Sequence, residues 1–196
     1  KADLILANNV VAHVEDLHDF IRGVCTLLSR DGVFVFEAPY LVDMFENLTY
    51  DTIYHEHLSY LSLRPLERLL EYYNLEVFDM EVNVVQGRSL RVFAGFRGKH
   101  VVKESVKKYI DLELSMSLDT INAYRVLANR IANQKWRLTE LIADLQKQGK
   151  RIAVYGASAK GNTMLNYCGL KEIEYAVDDL PSKRWMYTPG TRIKVV

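Results

Sequence analysis

Residues 99–148 contain neither glycine nor proline, and no other feature of the chain restricts its folding as much. Glycine costs a helix interior about 1 kcal/mol and proline about 3 kcal/mol, so a long stretch free of both is open to helix throughout. Within it Leu114, Ile121 and Ala128 recur at a spacing of seven, as do Ile131, Leu138 and Leu145. That spacing predicts two long helices, or one broken helix, each with an apolar stripe. A connector packed on its neighbours suits such stripes better than a free coiled coil.

On either side the pattern alternates between strand and helix. Residues 3–7 read as an apolar strand, and residues 17–28 as an amphipathic helix with Leu17, Phe20, Ile21, Val24 and Leu28 on one face. Asp31-Gly32 marks a turn into residues 33–36, apolar on both faces and therefore read as a central, parallel strand. Residues 65–73 form a helix with Pro65 in its first turn. Strands at 76–82 and 90–96 pair through Gln86-Gly87-Arg88 as a hairpin, so a mostly parallel sheet closes with an antiparallel pair. After the connector, residues 151–155 read as a strand, 156–161 as a loop, 162–168 as a helix and 174–177 as a strand ending in Asp178-Asp179. This is half of a nucleotide-binding fold.

Bulk properties exclude several function classes. Lysine plus arginine balance aspartate plus glutamate at 25 each, and the pI is near 7.1, so no basic field recruits nucleic acid or an anionic membrane. No apolar run approaches the roughly 20 residues that span a bilayer, and no signal peptide is visible. Cys25 and Cys168 lie far apart with no CxxC, which reads as two reduced thiols in a cytoplasmic protein. The chain starts and stops within apparent strands, at Lys1 and Val196, and reads as a piece of a longer protein. Its oligomeric state is open; a monomer is compatible with the lack of a long apolar stripe outside the connector.

Chemistry concentrates in Tyr50-Asp51-Thr52-Ile53-Tyr54-His55-Glu56-His57-Leu58-Ser59-Tyr60, which gathers imidazoles, carboxylates and phenols directly after an apolar strand. Such a cluster can place an acid, a base and several hydrogen-bond donors around one small substrate. If extended, it would put Tyr54 and Glu56 on one face and His55 and His57 on the other. A metal held by His13, His55 and His57 is a weaker reading, because the spacing is not that of a ligand set. Asn8-Asn9 and His13 follow one strand, and Glu37-Ala38-Pro39-Tyr40 ends the next, at the sheet edge where open α/β folds bind ligands. His13 there is either a ligand-orienting donor or a loop brace. Gly156-Ala157-Ser158-Ala159-Lys160-Gly161-Asn162 joins a strand to a helix amino terminus, where backbone amides, Ser158 and Lys160 favour a phosphate. Asp178 lies at the next strand end, where an acidic side chain often holds ribose hydroxyls. The same loop also fits a purely structural turn.

Three of these segments together resemble the sugar C-methyltransferases that use S-adenosylmethionine. They are Ala7-Asn8-Asn9 with His13; Phe36-Glu37-Ala38-Pro39-Tyr40 followed by Tyr54-x-Glu56-His57; and Tyr155-Gly156-Ala157-Ser158-Ala159-Lys160. Gln86-Gly87-Arg88-Ser89-Leu90-Arg91 and Thr188-Pro189-Gly190 fit as well, so the resemblance runs along nearly the whole chain. It implies an α/β architecture: residues 1–98 as the C-terminal half of a class I, Rossmann-like methyltransferase domain, 99–148 as a helical connector, and 149–196 as part of a second Rossmann-like domain that closes on the substrate nucleotide. The family's zinc-binding module and its glycine-rich cofactor loop would lie outside this chain, so the chain itself is expected to hold no zinc and to be inactive alone.

The reaction implied is proton removal from C3 of a nucleotide-linked 4-keto-6-deoxy sugar, followed by attack of the enolate carbon on the methyl group of S-adenosylmethionine. By resemblance His57 is the base, and Tyr54, Glu56 and His13 position the sugar and its developing oxyanion. An imidazole can exchange protons near neutral pH, which suits that task. Ser158, Lys160, Asn162 and Tyr40 are implied substrate contacts, and Asn8 a cofactor contact. His55 falls in a variable slot of the motif. A methyltransferase of the same architecture with another substrate, and a nucleotide-binding module without activity, are the alternatives. A dehydrogenase is disfavoured, since the Gly156 loop lacks the dinucleotide fingerprint.

Overall fold

The computed structural model describes residues 1–84 and 87–196. They form two compact units, Lys1–Asn47 with Glu56–Tyr124, and Leu48–His55 with Arg125–Val196. The Gly- and Pro-free stretch is therefore no separate body. It breaks into two helices, of which the first belongs to one unit and most of the second to the other.

The first unit is a four-stranded sheet with helices. Strand β1 (Ala2–Asn8) leads through a 3-10 turn, Val11–His13, into helix α1 (Leu17–Leu27). Asp16 caps α1, its carboxylate accepting the Asp19 N–H at 2.9 Å. Strand β2 (Leu28–Pro39) follows without a loop, then the short helix α2 (Leu41–Asn47), helix α3 (Leu63–Tyr72), strands β3 (Leu75–Asn83) and β4 (Ser89–Phe96), and helix α4 (Glu104–Ser115). The sheet order is β1-β2-β4-β3. Only β1 and β2 run parallel; β2 with β4, and β4 with β3, are antiparallel. This corrects the expectation of a mostly parallel sheet. The hairpin inserts its second strand, β4, beside β2, and reverses the polarity there. Gln86, expected in the hairpin turn, lies outside the described residues.

β2 is central, as its apolar faces require: Phe34, Phe36 and Ala38 are fully buried, and so are Leu63, Leu70, Leu75, Met80, Leu90 and Val92 of the same unit. The turn expected at Asp31-Gly32 is absorbed inside β2 as an irregularity. The partner of Ala2 is Leu28 and that of Leu4 is already Val33. A side chain at Gly32 would come within 2.9 Å of Leu28 Cδ1 and 3.0 Å of the Ala2 carbonyl oxygen, so glycine is needed for this close approach.

The second unit takes the 3-10 turn Tyr50–Thr52, most of helix α5 (Ile121–Lys147), strand β5 (Ala153–Tyr155), helix α6 (Ala159–Cys168) and strand β6 (Tyr175–Val177). β5 and β6 pair in parallel, and Val195 adds a parallel bridge to Ala176. Leu165, Ile173, Ala176, Ile193 and Val195 form its core, with Ile142 of α5 and Ile152 packed on it. Tyr50 lies against α6, its ring 5.5 Å from that of Tyr167. Helix α6 starts three residues earlier than its sequence suggests, because Ser158 caps it, Oγ accepting the Gly161 N–H at 3.2 Å. Among the described residues no helix is long and apolar enough to cross a membrane.

Candidate active site

Two histidines meet at the carboxyl edge of the parallel pair. β1 ends at Asn8, and Asn9 reverses the chain at φ 55° while its N–H donates to the Glu37 carbonyl of β2 at 2.9 Å. The 3-10 turn then buries Val11 and Ala12 and leaves His13 exposed. The Ala12 carbonyl accepts the N–H groups of Leu58 and Ser59, at 2.8 and 3.2 Å. That double contact brings the histidine-rich tract to β1. His13 Nδ1 lies 2.6 Å from the Glu56 carbonyl oxygen, and the His13 and His57 ring centroids are 5.0 Å apart, tilted by 54°. His57 is half-buried.

The Glu56 contact determines how His13 can act. A carbonyl only accepts, so Nδ1 carries the proton and Nε2 of the neutral ring is an acceptor. The neutral His13 ring therefore suits a hydroxyl donor at Nε2, and donation to an oxyanion requires the doubly protonated ring. Residues 54–56 form a bend and turn, so the alternation of faces expected for an extended tract does not occur. Tyr54 and His55 belong to the second unit, with ring centroids 6.4 Å apart. Glu56 is exposed and enters the histidine pair through its backbone carbonyl.

Asn8 stands exposed at the end of β1, in register with Glu37. Glu37 pairs with Arg91, its neighbour on β4. Tyr40 is placed differently from its expected role. It is 3% exposed, and its hydroxyl donates to Glu113 Oε1 at 2.9 Å, so it has little surface to offer a substrate. Burial, with Glu113 beside it, raises the Tyr40 phenol well above its usual range and keeps it a donor. Glu113 itself, 1% exposed on α4, is the group that sequence reasoning missed. A glutamate in a helical stretch reads as a solvated face, and no local signal marks it otherwise.

In the second unit Ser158 and Lys160 are exposed at the start of α6. Asn162, one turn in, has a buried Oδ1 with no hydrogen-bond partner among the described residues. Asp178 is committed to the loop: Oδ2 accepts the Ala157 N–H and Lys183 Nζ, both at 2.8 Å, and Oδ1 accepts the Leu180 N–H at 3.0 Å. Lys183 holds its carboxyl below the usual range. It braces the turn after β5, which is a local role distinct from the ribose contact its position suggested. Among the described residues no group of three or more His, Cys, Asp or Glu side chains could hold a metal ion.

Comparison with known proteins adds three findings. Residues 84–196 match the family described as C-methyltransferase C-terminal domain, and residues 1–79 match a methyltransferase domain family. C-methyltransferase NovU of Streptomyces niveus is 36% identical over 197 residues, covering 99% of this chain and 47% of that relative. The chain thus spans about half the length of the curated relative it matches.

Proposed function

The chain belongs to the C-methyltransferase family, and on that premise we propose that it is part of an enzyme that methylates carbon C3 of a nucleotide-linked 4-keto-6-deoxy sugar. The observation that carries this reading is the His13–His57 pair at the carboxyl edge of β1, with His13 fixed by the Glu56 carbonyl. In this reading the His57 imidazole takes the C3 proton, and the electron pair of that C–H bond becomes the enolate. S-adenosylmethionine supplies the electrophilic methyl group when bound. Of the residues at this edge, Asn8 is exposed at the end of β1 and carries both a donor and an acceptor, which fits a polar ligand there. Within the first unit His13 holds a sugar hydroxyl and Glu56 contributes to positioning; in the second unit, taken by itself, the start of α6 offers Ser158 and Lys160 to a phosphate, with Asn162 behind them.

The test uses the longest natural form of the protein with a thymidine-diphosphate 4-keto-6-deoxy sugar in heavy water. Deuterium entry without S-adenosylmethionine, and a mass gain of one CH2 with it, are expected. His57→Ala should slow both by about 10²–10⁴-fold, the range for loss of a general base, with nucleotide binding retained. Methylation of the variant at the parent rate would remove His57 from the role. Neither signal in the parent would point to another substrate or to a binding module.

A further inference from the structure

We propose that Glu113 is a positioning residue for the base step: from α4 it clamps the far end of the segment that carries His57. The proposal rests on the reading of His57 as the base.

A carboxylate as buried as Glu113 must have its oxygens satisfied by donors. Oε1 accepts the Leu63 N–H at 2.5 Å and the Tyr40 hydroxyl at 2.9 Å, and Oε2 accepts the Arg64 N–H at 3.1 Å. Leu63 and Arg64 open helix α3, whose own N-cap, Ser62, makes no side-chain cap bond. A serine at this position could satisfy a helix N–H locally, without burying a charge. The carboxylate from α4 takes over the cap, where the helix amides favour a negative charge. It also does what a serine could not, by holding the end of β2 through Tyr40.

The segment so held begins at His57. Leu58 and Ser59 are fixed to Ala12, and the Leu61 carbonyl accepts the Leu41 N–H at 2.9 Å while Leu61 bridges Tyr40. Glu113 then fixes Leu63 and Arg64. On the other flank His13 holds the Glu56 carbonyl. His57 therefore sits on a strap anchored along its length, and Glu113 is the side chain that secures the end beyond the reach of β1. Displacing a reacting group by about 1 Å can cost as much as 10²-fold in rate, which is why an anchor this far from His57 bears on the chemistry.

Glu113→Gln keeps an acceptor for Leu63 and Tyr40 but sets an NH2 group against the Arg64 N–H. Tyr40→Phe keeps both amide contacts and releases only β2. In the longest natural form of the protein, Glu113→Gln should raise amide hydrogen exchange over residues 58–64 about tenfold, with β2 and β4 protected as in the parent. Deuterium entry into the thymidine-diphosphate 4-keto-6-deoxy sugar should slow about tenfold, while affinity for that sugar changes less than about twofold. Tyr40→Phe should fall between the two. Deuterium entry at the parent rate in Glu113→Gln overturns the proposal, and so does a loss of protection spread over the whole sheet. If the parent takes up no deuterium, the assignment of His57 fails separately. Amide exchange then decides the clamp, and unchanged protection over 58–64 overturns it.

Discussion

The Glu56 carbonyl sets the proton arrangement of His13. With Nδ1 occupied, His13 presents one nitrogen to a ligand and cannot swing without losing its tether. His13→Ala should therefore slow deuterium entry into the keto sugar about tenfold in the longest natural form, through a looser tract as well as a lost contact. A rate equal to the parent's would mean that the two Ala12 contacts suffice to hold the tract. Residue types were readable before the structure: imidazoles, a carboxylate and a phenol in one short tract. Their neighbours were not. Tyr40 and Glu113 lie on separate elements, and each is ordinary in its local context. Only packing buries them together and makes the phenol a donor to the carboxylate.

At the scale of elements, helices and strands follow the local pattern closely, and departures have local causes. α6 begins at Ala159 because Ser158 caps it, which brings Lys160 and Asn162 into the helix. β2 continues through Asp31-Gly32 because β1 accommodates an irregularity opposite it. Gly32→Ala would push a methyl group against the buried Leu28 side chain and the Ala2 backbone. It should destabilise the protein by about 1–3 kcal/mol, as overpacking does, read from the urea midpoint. An unchanged midpoint would mean that the end of β1 moves aside. The polarity of the sheet is the larger departure. A strand apolar on both faces predicts a central position, which β2 has, but it does not say which way the neighbours run.

At the scale of the whole molecule, the carboxylates predict how the protein responds to acid. The Asp19 N–H lowers Asp16, Arg64 lowers Asp119, Arg151 lowers Glu174 and Lys183 lowers Asp178. For Asp79 burial pushes upward, but Lys103, Ser105 and the Met80 N–H outweigh it. A carboxylate lowered in the folded state binds protons more tightly in the unfolded chain. Its contribution is present above the unfolded pKa, about 4, and is lost as pH falls through the lower folded value. Glu67, raised by burial and by Glu113 and Glu71, has the opposite sign and loses stability as pH rises through its window. The lowered groups are the more numerous among the described residues, so the urea midpoint should decrease as pH is lowered from about 5 to about 3, where such carboxylates take up protons. A flat profile would show that these pairs are equally formed in the unfolded chain. The amino-acid sequence by itself determined the α/β pattern, the two helices of the Gly- and Pro-free stretch, the histidine tract and the resemblance to C-methyltransferases, because periodicity and motifs are local properties. Tertiary structure alone decided the mixed sheet, the pairing of His13 with His57, the burial of Glu113 under α3 and the division of the helical stretch between two units. Those depend on which distant segments meet, and a buried charge or a strand direction takes its meaning from its partner.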